Sequence, residues 1–575
     1  MLNDRLAVLL AFSGLALPSA LLAQDDPFPS ILDLMELDGS TGFRLEGAGP
    51  GAFFGSSLGS VGDVNGDGYE DLAVGARFQS FRGAVYVYFG AEGFPPVVDV
   101  STLDGQNGFR IDGANPGDQA GTSVGGNVDV NNDGVDDLLI GADRADPDGV
   151  RDAGEAYVVF GRDVGVVGPF AAIFGLEDLD ALTGVRFKGE GTSSYFGAGF
   201  GSAGDLNDDG YADLICGAYQ YSAGTSSYEG AAYVFYGVSD ALPPVVEAGD
   251  LTPDEGVRIV GDQPDERAGS TVVAVCDVND DGLKDFLVGA PRRKYGAGIA
   301  YVVYGDTDRP SVLDEFGDLD GTNGFQAVPP AGTYGNSGQA VASLGDINGD
   351  GVDDFAIGSP LETAGGRYSA GVTRVIFGRT DGFPPELDTG DLDGTNGFRI
   401  DGAMEFEASG RSISAGDING DGLTDLAIAA PYAEGELGRV YVLFGDDGPK
   451  PPVIQLSDID GSNGFVITGG GGRDRTGFAT SFVGDINGDG LDDLALGTYP
   501  SPGYGDERAY VVFGRQVGLP PCPPDLDGDG ALTIFDFLAF GNLFELMDPR
   551  ADFDGDGEFT IFDFLAFQNA FAAGC

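Results

Sequence analysis

Histidine is absent from the chain, which removes His-dependent general-base catalysis, Ser-His-Asp triads and the usual zinc sites from consideration. Tryptophan is absent as well. Basic residues are scarce: 29 Lys and Arg stand against 93 Asp and Glu in 575 residues, a formal charge of −64. A polyanion of this kind repels nucleic acid and anionic lipid at long range, so its natural partners are cations. Long apolar runs are lacking too. The one from Leu6 to Leu17 falls short of the roughly 18 residues that a membrane span prefers. With Arg5 ahead of it and small residues behind, it reads as a secretory signal peptide over residues 1–23, cut near Ala20 or Ala23, and predicts a secreted or cell-surface protein without a membrane span. Cysteine occurs four times, and none follows the cleavage region, which argues against a lipoprotein anchor.

What is abundant is glycine, at 99 residues with 31 Pro, beside 42% hydrophobic residues and 40 Phe. That balance describes a turn-rich all-β chain able to bury a core. Self-similarity is its main feature. Units of about 70 residues start near 36, 102, 178, 250, 318, 391 and 458. Each carries a segment such as DLDGTNGFRIDG, a Gly/Ser-rich strand, an acidic turn such as GDVNGDGYEDL, then LAVGA, a variable loop and a strand such as GAVYVYFG. The β-rich segments, punctuated by Gly, imply about four strands per unit. Seven such units do not each bury two faces alone, and radial packing solves that problem. The expected fold is a seven-bladed β-propeller over 24–514, against a linear solenoid whose repeats are usually shorter.

These units resemble the FG-GAP repeats of the integrin α-chain head. The motif is carried by Phe54-Gly55 with Gly75-Ala76, Phe196-Gly197 with Gly217-Ala218, and Gly289-Ala290-Pro291. The resemblance implies that the inner strand precedes the acidic turn, that two strands follow, and that the next repeat's GFRIDG segment forms the outermost strand. The first such segment, Gly42 to Gly47, then pairs beside Ala509 to Gly514 and joins the chain's ends. It also implies calcium loops on one face and ligand recognition on the other. There the candidate loops hold Tyr195, Tyr219, Tyr221 and Tyr228, and the basic cluster Arg292, Arg293 and Lys294. An ordinary solvated loop is the alternative for both.

Each acidic turn reads D-x-N-x-D-G-x-x-D. Hard cations take six to eight oxygens, alternate residues of a tight turn aim theirs inward, and Gly at the sixth position permits the bend. The ligands expected for about seven Ca²⁺ ions are Asp63, Asn65, Asp67, the carbonyl of Tyr69 and Asp71 in the first copy, and Asp129, Asn131, Asp133, Val135 and Asp137 in the second. Asp205, Asn207, Asp209, Tyr211 and Asp213 follow, then Asp277, Asn279, Asp281, Leu283 and Asp285. The fifth copy has Asp346, Asn348, Asp350, Val352 and Asp354; the sixth Asp417, Asn419, Asp421, Leu423 and Asp425; the seventh Asp485, Asn487, Asp489, Leu491 and Asp493. Turn chemistry alone also favours Asp, Asn and Gly, but it tolerates Ser, Lys or Pro where three Asp recur in register seven times.

After a Pro-rich linker, 515–524, the period stops and two twelve-position loops follow in residues 525–575. Their ligand sets are Asp525, Asp527, Asp529, Ala531 (carbonyl) and Asp536, then Asp552, Asp554, Asp556, Glu558 (carbonyl) and Asp563, enough for two further Ca²⁺. Each loop runs into an apolar helix. A duplicated loop-plus-helix resembles a dockerin, a small α-helical module with EF-hand-type loops, and implies a cohesin-like or cell-surface scaffold as partner. Cys522 and Cys575 bracket this module and suggest a clasping disulfide, with a sorting signal at Gly574-Cys575 as the alternative. Cys216 and Cys276 read as buried free thiols. The expectation is a secreted, non-enzymatic adhesion protein that binds an extracellular protein or glycan. A dockerin-bearing polysaccharide hydrolase or a structural envelope component are the competing readings.

Overall fold

The computed structural model describes residues 28–516, except 48, 225–226, 239–241, 276, 308–313 and 501–506, together with 539–540, 543–544, 564 and 567 of the C-terminal segment. The signal peptide, both dockerin-like loops, Cys522, Cys575 and Cys276 lie outside the described residues. Phe28–Gly514 forms one compact unit. Among the described residues no helix is long and apolar enough to cross a membrane, and Cys216 is a buried free thiol.

Seven sheets make up this unit. In blade one the order from the axis outward is Phe54–Ser60, Leu72–Ala76, Ala84–Tyr88, Gly108–Asp112 and Ile173–Gly175. The first four strands are antiparallel, and the fourth comes from the next repeat. The fifth corrects the four-strand expectation. A three-residue strand lying just ahead of the third repeat pairs parallel outside the GFRID strand, with Arg110 opposite Ile173, so GFRID is not outermost. Six blades show this fifth strand; in blade three, where 308–313 lie outside the described residues, a bridge from Val260 to Glu315 stands at the same place. The edge strands escaped notice because three residues carry too little periodicity to register.

Neighbouring inner strands pack against one another around the whole ring, and the last returns to the first. Closure is double. Gly42–Glu46 pairs antiparallel with Arg508–Val512 to complete blade seven, and Ile31–Asp33 pairs parallel with Gly464–Thr468 in blade six. Two N-terminal segments thereby cover edges that would otherwise be open for association. The interblade core repeats with the ring. Tyr86, Tyr157, Tyr233, Tyr301, Tyr441 and Tyr510 occupy the centre of the third strand in six blades and are fully buried. Blade five has Arg374 at that slot, also fully buried, and Glu362 neutralises it through two hydrogen bonds of 2.8 Å. A guanidinium is tolerated there because a fork-to-fork pair satisfies both partners.

Candidate metal-binding turns and the opposite face

Each acidic turn follows an inner strand, so all seven gather at one end of the channel. Their backbone is shaped by two left-handed residues. The Gly at position six has φ between 82° and 95° in every copy, a region that costs a side-chain-bearing residue about 1–2 kcal/mol. Position four is left-handed as well: Gly66, Asn132, Asp208, Asp280, Gly349, Gly420 and Gly488 all have positive φ. The composition of that slot, only Gly, Asn and Asp, was a readable signal, since these residues tolerate the conformation best.

The first-position aspartate folds its carboxylate under the turn. Asp63 accepts hydrogen bonds from the N–H groups of Asp67 at 3.0 Å and Gly68 at 2.7 Å, and the same pair of bonds recurs at Asp129, Asp205, Asp277, Asp346, Asp417 and Asp485. The fifth-position aspartate accepts the N–H of position seven in every copy. With these carboxylates engaged by the backbone, no three Asp, Glu, His or Cys groups among the described residues converge as a metal-holding set. The Asn at position three accepts the N–H of position five in six turns. In the first turn Asn65 is buried and its Oδ1 accepts no hydrogen bond.

The ninth-position aspartate has a second task. Asp71, Asp137, Asp213, Asp285, Asp354, Asp425 and Asp493 are all fully buried. One carboxylate oxygen of Asp425 accepts the N–H of Ile418 at 3.0 Å and the other that of Gly445 at 2.7 Å. The other six make the same two bonds, one into the turn and one to the Gly two residues past the blade's third strand. That second residue has to be Gly: a Cβ at Gly161 would stand 2.1 Å from the carbonyl oxygen of Asp136. Burial pushes these carboxyls up, to about 7 at Asp137 and Asp213 and about 8 at Asp285, Asp354 and Asp425; the carboxylates at positions one and five add to the rise, and the N–H donors oppose it.

Position eight joins blades. Asp136 of blade two accepts the N–H of Asp63 in blade one at 3.0 Å; Asp353 does the same for Asp277 at 3.1 Å, and Asp492 for Asp417 at 2.8 Å. These bonds connect residues more than 70 apart in sequence, and nothing within one repeat announced them.

At the other end of the channel the expected recognition residues divide. Tyr195 stacks on Tyr219 with ring centres 5.2 Å apart, and the Arg144 guanidinium lies 4.4 Å from the Tyr195 ring. Tyr221 is buried edge-on to Tyr233, whereas Tyr228 is exposed. The basic cluster does not form one patch. Arg292 and Lys294 point outward, but Arg293 is buried and pairs with Asp262 and Glu266 (3.2 Å) and with the Tyr301 hydroxyl. Arg293 is therefore a core residue rather than a contact residue.

Comparison with known proteins places these features in context. A family model for the FG-GAP repeat matches residues 54–88, 196–235, 268–303, 337–376 and 409–443, five of the seven blades. The phosphatidylinositol-glycan-specific phospholipase D of Dictyostelium discoideum is 26% identical over 340 residues, 56% of this chain and 34% of that protein. The Homo sapiens protein of the same name is 30% identical over 292 residues, 46% and 32% respectively. Integrin alpha-5 of Xenopus laevis is 29% identical over 254 residues, 43% and 21%. The chain thus carries FG-GAP repeats and is homologous with integrin α chains over part of its length, while spanning well under half the length of these relatives. The expectation of a non-enzymatic protein is overturned by relatives that bear the name of an enzyme. Absence of histidine removes one kind of general base. It does not classify a propeller that enzymes and integrins share.

Proposed function

We propose that this chain is an exported, calcium-loaded recognition scaffold, with the propeller as its binding body and residues 525–575 as a dockerin-like module for attachment or assembly. The repeated geometry of the seven turns carries this reading. Each copy offers three Asp and one Asn as oxygen donors on a backbone held in the left-handed region at positions four and six. The donor chemistry fits a hard cation. So does the buried, unpartnered Oδ1 of Asn65, and so does the upward push on the ninth-position carboxyls, which a cation would reverse. The first-, third-, fifth- and ninth-position side chains and the seventh-position carbonyl would hold Ca²⁺. Its chemistry there is charge neutralisation, which lets three carboxylates share one turn.

The channel end remote from the turns is the surface proposed for the ligand, an extracellular protein or glycan. The test is retention of the calcium-loaded full chain on an array of extracellular proteins and glycans, including phosphatidylinositol-glycans, with bound spots analysed for cleavage products so that binding and turnover are both read. Retention that disappears in chelator supports the reading. No retention, or retention indifferent to chelator, refutes it. A cohesin pull-down that is lost on deleting 525–575 tests the tail.

A further inference from the structure

We infer that the channel mouth opposite the acidic turns is an anion site, in which Arg77 and Arg411 receive a single carboxylate or phosphate carried on the ring of an otherwise neutral ligand. This rests on the reading of that end as the recognition end and specifies its chemistry.

Topology brings the two arginines together. Arg77 directly follows the second strand of blade one, Leu72–Ala76, and Arg411 lies just before the inner strand of blade six, Ile413–Gly416. Second strands run away from the acidic turns and inner strands run toward them, so both residues lie at the same end. Blade seven stands between them and contributes Phe478 and Tyr499. These rings stack with centres 4.3 Å apart and planes inclined by 19°. The Arg411 guanidinium lies 4.6 Å from the Phe478 ring centre, and the Arg77 guanidinium 5.5 Å from that of Tyr499 and 5.4 Å from that of Phe78. Arg77 also donates to the Tyr499 hydroxyl at 3.0 Å. Phe78, Phe478 and Tyr499 are all half-buried, so they line the site without being consumed by the core.

Charge makes the arrangement unusual. With 93 acidic side chains available to 29 basic ones, a guanidinium in this chain has ample opportunity to pair, and Arg374, Arg293, Arg186 and Arg258 each do so with a carboxylate. Among the described residues Arg77 and Arg411 have no ion pair, and the Arg77 charge reaches Arg411. Burial lowers the Arg411 pKa, the Arg77 charge lowers it further, and only the Tyr432 ring hydroxyl opposes. The Asp143 carboxyl senses Arg77 as well, but it is buried and accepts the Thr122 hydroxyl at 3.1 Å. Ring faces offset part of the cost of two unpaired cations; a forked guanidinium pair matches the oxygens of carboxylate or phosphate. A polyanion is repelled by the rest of the surface, which selects a ligand with one anionic group, and the rings select a flat or sugar-like body beside it.

The experiment is calorimetric titration of the full chain in saturating calcium with glucuronate, glucose 6-phosphate and glucose. Glucuronate or glucose 6-phosphate should bind and glucose should not, with the tighter anion identifying carboxylate or phosphate as the recognised group. Arg77→Gln or Arg411→Gln should weaken binding at least tenfold while the melting temperature stays within a degree or two, since among the described residues neither makes an ion pair. Arg379→Gln, at the opposite end beside the acidic turns and paired with Asp381, should bind as the wild type does. Should a Gln variant fail to fold, Arg77→Lys and Arg411→Lys keep the charge but lose the fork, and a severalfold loss is expected. The inference is overturned if neither anion binds the wild-type chain, if glucose binds as well as glucuronate, or if the Gln variants bind unchanged. An array ligand that both Gln variants retain would sink this site and leave the scaffold reading standing.

Discussion

Replacing Asp425 by Ala separates a structural pin from a metal ligand. The substitution strands two backbone N–H donors, those of Ile418 and Gly445, which now lie 3.0 and 2.7 Å from the carboxylate, and the Asn419 side-chain amide at 3.3 Å, in a site with no solvent access. Each buried donor left unsatisfied costs about 1–3 kcal/mol. Part of that is offset because the lost carboxyl was itself disfavoured by burial, which drives its pKa to about 8. The net expectation is about 2–4 kcal/mol of local stability, or at least about a 30-fold rise in opening. A propeller of this length need not unfold in one step, so the assay is amide hydrogen exchange on peptides spanning 413–445, in chelator and in calcium. Asp421→Ala is the control: its carboxylate serves one N–H, that of Leu423 at 2.9 Å, in an exposed turn. It should change exchange little in chelator, yet weaken calcium protection. If Asp425→Ala leaves exchange in chelator within threefold of wild type, the buried carboxylate does not pin the turn to the third strand.

Calcium removal should lower the melting temperature by well over two degrees, because one site at tenfold excess over its dissociation constant adds ~1.4 kcal/mol; a shift of a degree or two or less excludes a structural role. Glu266, buried against Arg293, Asp262 and Tyr301, has its carboxyl raised to about 8, mainly by burial. A carboxyl raised in the folded state stabilises the fold below its unfolded pKa of 4.5 and loses that contribution as pH rises through 8. In saturating calcium, Glu266→Gln should therefore remove a decline in unfolding free energy of up to ~1.4 kcal/mol per pH unit between those limits. Parallel pH profiles of the two proteins would refute it. Deleting 28–47 exposes the edges of Arg508–Val512 and Gly464–Thr468 and should give concentration-dependent association by sedimentation; a monomer with an unchanged unfolding midpoint would show that closure is dispensable.

Much of the architecture was legible because it is written seven times. The acidic turn, the Gly at its sixth position, the strand order and the closure by Gly42–Glu46 each follow from in-register repetition or from the FG-GAP likeness built on it. The features that were missed depend on contacts across repeats or on direction. The bond from Asp136 to the Asp63 N–H links two blades, so no single unit displays it. The ninth aspartate reads as one more oxygen ligand in a linear motif, and only the folded blade reveals that its oxygens also meet a Gly some 20 residues later. Arg293 sits between Arg292 and Lys294 in sequence, but the chain reverses there through left-handed Lys294 and Tyr295 and turns the middle residue inward.

Repetition also separates what holds the ring from what distinguishes one arc of it. A slot that keeps its chemistry in all seven blades, such as the ninth aspartate or the Gly two residues past the third strand, has to satisfy the same bonds seven times and is constrained by packing. The residue after the inner-strand Gly shows no such constraint. It is Ser56, Thr122, Ala198, Ser270 and Gln339 in the first five blades, then Arg411 and Phe478 in the last two. Small or neutral side chains suffice for the fold there, so a guanidinium and an aromatic ring at that slot are not demanded by packing. The Arg77 slot varies as well: it is Pro291, Pro360 and Pro431 in blades four, five and six, Asp143, Tyr219 and Tyr499 in blades two, three and seven, and basic in blade one alone. Because the sheet geometry is common to all blades, Arg411, Phe478 and Arg77 bring two basic side chains and a ring together across blades six, seven and one, at one side of the channel mouth. Replacing that trio by the residues of blade four, with Arg77→Pro, Arg411→Ser and Phe478→Ser, should leave the calcium-dependent melting curve in place while abolishing glucuronate binding. A matching loss of both would mean that the arc is part of the frame.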